Sequence, residues 1–122
     1  MARPAVRELP RPLPDRLVEL IAGRLQVVAQ PLRIRIIEYL DRGGESTVQA
    51  LADELDATQQ NISRHLGLLY ATRVVDRRHE GRLVWYRLVD PDAFGQIERV
   101  ATEIMAQLPA TDPDDEVDED PA

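Results

Sequence analysis

Residues 47–88 read TVQALADELDATQQNISRHLGLLYATRVVDRRHEGRLVWYRL. Val48, Leu51, Ala52 and Leu55 recur at helical spacing and stop at Asp56-Ala57, a turn. Ser46-Thr47-Val48-Gln49 fits a capping box at the head of this short helix, with Ser46 and Gln49 satisfying the first free amides reciprocally. Thr58 then caps a second helix, in which Ile62, Leu66 and Leu69 form a buried stripe at i, i+4 and i+7. After Val74-Val75 the period changes to two. Val84, Tyr86 and Leu88 alternate towards a core, Leu83, Trp85 and Arg87 face outward, and Glu80-Gly81 is the turn of a hairpin.

Working outward, Leu17, Leu20, Ile21, Leu25 and Val28 predict a helix from Asp15, its N-cap, to about Ala29. Pro31, favoured in a first helical turn, opens another through Ile34, Ile36, Ile37 and Leu40 until Gly43 and Gly44 stop it. Pro91 and Asp92 open the last helix, whose apolar set is Phe94, Ile97, Val100, Ala101, Ile104, Met105 and Leu108. The expected fold is mainly α with a β-hairpin wing: four helices, the hairpin, then a fifth helix, a winged helix-turn-helix. The core of so small a domain leaves little for the first and last helices to cover. They are expected to pair with a second copy in a two-fold homodimer, through Leu17, Leu20, Ile21, Leu25 and the apolar set of the last helix.

Three segments follow from composition. Residues 1–14, with Pro4, Pro10, Pro12, Pro14 and Arg3, Arg7, Arg11, are expected to be an extended basic arm. Residues 15–108 are expected to form the winged helix-turn-helix domain, for DNA binding and dimerisation. Residues 109–122 are expected to be a disordered acidic tail, read either as solubilising or as a competitor for the arginine surface, a protein contact or a weak cation collector. That tail holds seven acids and no base, so the net charge of −7 belongs to it, and residues 1–108 balance 15 acids with 15 arginines. Within residues 64–87, Arg64, Arg73, Arg77, Arg78, Arg82 and Arg87 face only Asp76 and Glu80. The local sign is positive, as phosphate contact requires. Every basic residue other than histidine is arginine; genome composition accounts for that bias, and it carries no functional weight.

Rotation at 100° per residue sets Gln60, Ser63, Arg64 and Gly67 opposite the stripe of the second helix of the pair, with Gln59 at its N-terminal edge. Glutamine can take adenine and arginine guanine in bidentate fashion, serine is an adaptable donor, and Gly67 removes bulk where a duplex approaches. Gln59, Gln60, Ser63 and Arg64 are therefore the expected base readers. Thr58, Arg77, Arg78, His79 and Arg82 are expected at the phosphates. On most helices such a polar face is ordinary solvated surface, but the neighbouring turn and basic wing favour DNA contact here; a winged helix can also act purely as a protein-binding module. The absence of cysteine excludes disulfides, thiolate metal sites and thiol switches. No nucleophile has a base at motif spacing and no phosphate-cradling loop occurs, so no enzyme is expected. The N-terminus lacks the apolar core of a signal peptide and no run is long enough for a bilayer, so a cytoplasmic location without membrane association is expected.

Leu51-Ala52, Thr58-Gln59-Gln60-Asn61-Ile62-Ser63-Arg64-His65-Leu66 and Gly81-Arg82-Leu83-Val84-Trp85-Tyr86-Arg87-Leu88 resemble the ArsR/SmtB family of bacterial winged-helix regulators, over residues 15–108. The resemblance implies an operator-binding homodimer with its first and last helices at the interface, and a structural role for His65. Many members of that family release DNA on binding metal. Where their third helix carries Cys-Val-Cys-Asp-Leu-Ala, this chain has Thr47-Val48-Gln49-Ala50-Leu51-Ala52; their last-helix ligands fall on Asp92, Phe94, Met105 and Leu108. No metal site is expected from either motif. Two alternatives stand beside this: nickel, cobalt or zinc held by a non-standard set such as Asp92, Glu98, Glu103, a histidine or the N-terminal amine, and sensing by a separate partner protein. Relatives also place Ala-Gly before the wing where this chain has Tyr70-Ala71-Thr72-Arg73. Either a non-glycine residue takes a left-handed cap there, or the helix ends through a different turn.

Overall fold

The computed structural model describes residues 8–109. Its elements are α1 (Asp15–Val27), α2 (Pro31–Gly43), β1 (Glu45–Thr47), α3 (Val48–Leu55), α4 (Gln59–Ala71), β2 (Val75–Glu80), β3 (Leu83–Leu88) and α5 (Ala93–Gln107). The five helices and the hairpin follow the expected order. The third strand, β1, does not follow from the sequence reading. It pairs antiparallel with β3, Ser46 opposite Tyr86, so the sheet runs β1-β3-β2.

That strand changes the capping of α3. Ser46 lies buried in β1, and Thr47 is the N-cap, its side chain accepting from the Ala50 amide at 3.2 Å. The expected Ser46–Gln49 box is thus replaced by a single cap one residue later. Asp15 is likewise the first residue of α1 rather than its cap, which sets its negative charge in the first turn. At Pro31 the expectation holds: it occupies the first turn of α2, and Gly44, at φ 86°, closes that helix where a side chain would be strained.

The core joins Ile36, Ile37 and Leu40 of α2 to Leu51 and Ala52 of α3, Ile62, Leu66 and Leu69 of α4, Val74, Val75 and Tyr86 of the wing base, and Ala93. Phe94 and Ile97 pack partly against it. α1 has no buried residue. Trp85, expected to face outward, is half-buried with its indole nitrogen covered, because Thr47 of β1 pairs beside it and Arg78 lies over it at 5.5 Å. Leu83 and Arg87 are exposed as expected.

α4 ends in a Schellman motif. The Val74 amide donates to the Leu69 carbonyl at 2.9 Å and the Arg73 amide to the Tyr70 carbonyl at 3.1 Å. Arg73 takes the left-handed position, φ 63°, that glycine normally fills. The first of the two alternatives at this cap is the one the chain adopts.

Candidate nucleic-acid interface

The interface is built from the turn before α4. Asp56, at φ 52° and ψ 51°, reverses the chain after α3, and its short side chain tolerates that left-handed conformation. Thr58 then caps α4, its hydroxyl accepting from the Asn61 amide at 3.1 Å. With Ile62, Leu66 and Leu69 fully buried, the rest of the helix must face out: Gln59, Gln60, Ser63, Arg64 and Gly67 are all exposed. Arg64 donates from Nη2 to the Asn61 side-chain oxygen at 2.7 Å. A Cβ at Gly67 would meet nothing within 4 Å, so packing inside the chain does not require glycine there.

The wing divides its cations between two faces. Strand partners share a face of the sheet, so Arg77 and His79 lie with Tyr86 and Val84, and Arg78 lies with Trp85. The Arg77 guanidinium sits 4.1 Å from the centre of the Tyr70 ring, a cation–π contact joining β2 to the last turn of α4. The phenols of Tyr86 first and Tyr70 second raise its pKa. Arg78, expected at the phosphates, is engaged within the sheet. Its Nε and Nη2 bind Glu45 at 2.8 and 3.1 Å and its Nη1 binds Glu80 at 2.7 Å. Those two carboxylates, Glu45 foremost, push the Arg78 pKa further up, and the Arg78 hydrogen bond pulls that of Glu45 down. His79 and Arg82 are exposed, with Arg82 in the two-residue turn after Gly81, whose φ of 62° suits the first central position of a type II′ turn.

Three residues outside the expected site shape it. Tyr70 and Glu45 hold the two wing arginines. Arg33 is buried, with Nη1 donating to the Gln26 and Val27 carbonyls at the end of α1. A signal for Arg33 lay in the sequence, since Arg33, Ile37 and Leu40 have the i, i+4, i+7 spacing of a buried stripe. His65 is half-buried at the edge of α4, and its pKa is lowered by burial first and then by Arg33 and Arg64, which favours the neutral ring.

At the two positions where the family resemblance places a metal, the residues do not supply its ligands. Thr47 and Gln49 stand in place of thiolates, and Asp92 is occupied by Arg99 at 3.0 Å, which lowers its pKa. Among the described residues no three histidine, cysteine or acidic side chains converge, and no helix is long and apolar enough to cross a membrane.

A buried three-residue stripe behind an exposed polar helix face, followed by a basic hairpin, defines a winged-helix DNA-binding protein. A helix-turn-helix domain family matches residues 28–78. The chain is 32% identical over 93 residues to the biofilm growth-associated repressor of Agrobacterium fabrum, covering 76% of this chain and 79% of that protein. Among solved structures, NolR from Sinorhizobium fredii superposes with a TM-score of 0.67 at 30% identity, over 78% of this chain and 96% of that one. The antimony-specific repressor AntR shares the fold, with a TM-score of 0.70 at 23% identity, over 80% of this chain and 88% of that one. The chain belongs to the ArsR/SmtB family of winged-helix transcriptional regulators and is a DNA-binding regulator.

Proposed function

We propose that the protein acts as a two-fold homodimer on a partly palindromic operator, with α4 of each copy in a major groove. Gln59, Gln60, Ser63 and Arg64 read base edges, Thr58 and Arg77 position the backbone, and His79 and Arg82 reach the flanking phosphates. The observation that carries this reading is the exposure of the whole polar face of α4 while its opposite face is fully buried. Residues 15–108 form the working domain; of the arm at residues 1–14, residues 1–7 lie outside the described residues, as does the tail beyond Pro109. The Agrobacterium relative is named as a repressor, and repression is the proposed sense of regulation. Its signal is independent of metal at the family's two sites, since their ligands are replaced.

Fluorescence titration against DNA from the protein's own promoter region tests this, with random duplex as competitor and with nickel, cobalt and zinc each present and absent. Affinity should be unchanged by metal and should fall steeply with salt. Arg64→Ala should cost about 1–3 kcal/mol at one base pair and relax specificity there. Equal binding of that variant and the parent to operator and random DNA would overturn the assignment of the reading face. A shallow salt dependence would favour a protein-binding module instead.

A further inference from the structure

We propose that Tyr70 is a positioning residue for DNA binding: its ring holds the Arg77 guanidinium between α4 and the wing, where the phosphates of one strand pass. The spacing of α4 sets Tyr70 on the reading face. Ser63, Gly67 and Tyr70 stand at i, i+4 and i+7, all three are exposed, and Tyr70 ends that row in the last turn of the helix. The wing brings Arg77 to the same place. Arg77 is paired with Tyr86 across the hairpin, and partners in register project from one face of the sheet. Tyr86 is buried in the core with Ile62, Leu66 and Leu69 of α4, so that face is the one the wing turns towards the helix. The Arg77 guanidinium accordingly lies over the Tyr70 ring, 4.1 Å from its centre.

Charge balance separates Arg77 from its neighbour. Arg78 is neutralised by the carboxylates of Glu45 and Glu80, at 2.8 and 2.7 Å. Among the described residues no carboxylate forms an ion pair with Arg77. Asp76, the acid beside it in sequence, lies 3.9 Å from Arg87, and its Oδ1 accepts from the Arg77 backbone amide rather than from the guanidinium. An aromatic ring offers its quadrupole and no net charge. Arg77 is thus steadied while its positive charge stays whole and exposed. An arginine loses rotamer freedom when it grips a phosphate, and one already held against a ring loses less. With α4 in a major groove and the wing tip at the adjoining minor groove, the strand that divides the two grooves crosses between them and supplies the acceptor. The inference rests on that placement of α4 and adds that the phosphate contact of Arg77 depends on Tyr70. A ring that merely braced the wing would act through packing, with or without the arginine.

Affinities of the full chain for operator and for random duplex are measured for Tyr70→Phe, Tyr70→Leu, Arg77→Ala and the double variant Tyr70→Leu with Arg77→Ala, and Arg64→Ala is measured alongside. Arg77→Ala should weaken binding to both DNAs by about tenfold and reduce the salt slope by about 1, since a phosphate contact is blind to sequence. Tyr70→Leu should weaken both by about two- to fivefold, the worth of one exposed cation–π contact. Tyr70→Phe, which keeps the ring, should bind like the parent. In the double variant the loss should equal that of Arg77→Ala alone, because the ring then has nothing to hold. Parental affinity in Tyr70→Leu or in Arg77→Ala, a loss in Tyr70→Phe as large as in Tyr70→Leu, or an additive loss in the double variant would each overturn the proposal. Where Arg64→Ala still relaxes operator specificity, such a result removes the role of Tyr70 alone; where Arg64→Ala is also without effect, the placement of α4 falls with it.

Discussion

Arg73 and Gly67 are exchanged relative to what conformation alone would choose. Arg73 occupies a left-handed cap that costs a non-glycine residue about 1 kcal/mol. Arg73→Gly should therefore stabilise the fold by roughly that amount, read as a higher urea midpoint at unchanged slope. Gly67 is the converse case: glycine inside a helix costs about 1 kcal/mol against alanine, and no neighbour forbids a side chain there. Gly67→Ala should raise stability by about 0.5–1 kcal/mol and weaken operator binding, two readouts moving in opposite directions. If both rise together, the duplex does not approach at Gly67. At this scale the sequence was informative about α4, because its stripe and its polar face fall at strict helical spacing. It was silent on which cap alternative Arg73 would adopt, since the same residues fit two turns and only the Val74–Leu69 and Arg73–Tyr70 hydrogen bonds decide between them.

Among the elements, the wing shows what a row of arginines conceals. Arg77, Arg78 and Arg82 lie within six residues and read alike in sequence, yet one stacks on Tyr70, one is chelated by Glu45 and Glu80, and one stands exposed in the turn. Long-range pairing makes the difference. Glu45 lies 33 residues before Arg78 and meets it only because β1 joins the sheet. A strand of three residues is too short to show alternation, which is why Ser46 looked like a cap. The three arginines should accordingly separate by experiment. Arg82→Ala should reduce the slope of log affinity against log salt by about 1 for each phosphate that the arginine neutralises, with little change in stability. Arg78→Ala should leave that slope nearly unchanged, loosen the pairing of β1 with β3, and lower stability by no more than about 1 kcal/mol, because the pair is solvent-exposed. Equal salt slopes for Arg82→Ala and the parent would remove the turn from the DNA interface.

The whole molecule is defined by apolar surface that one copy does not cover. In α1, Leu20, Ile21 and Leu25 are 53, 39 and 57% exposed, and in α5 and its cap, Val100, Ile104, Met105 and Leu108 are 55, 52, 73 and 51% exposed. The sequence set all of α5's apolar residues at one interface. The structure divides them, because the wing base brings the start of α5 against α2, where Phe94 and Ile97 join the edge of the core while the second half projects beyond it. That division was hidden from the spacing, since the apolar stripe runs unbroken along the helix and only the length of the domain beneath it determines where burial stops. Exposed patches of this kind mark an association surface, and a two-fold contact would set two α4 helices on one face of a duplex. Leu20→Asp with Ile104→Asp tests this without touching a core residue. Sedimentation should show monomer where the parent is dimeric, with a cooperative thermal transition retained. Operator affinity should fall by well over tenfold, because each half-site is then bound without its neighbour, whereas affinity for random DNA should fall much less. A variant that stays dimeric would place the interface elsewhere. A monomer with parental operator affinity would mean that one copy is the DNA-binding unit.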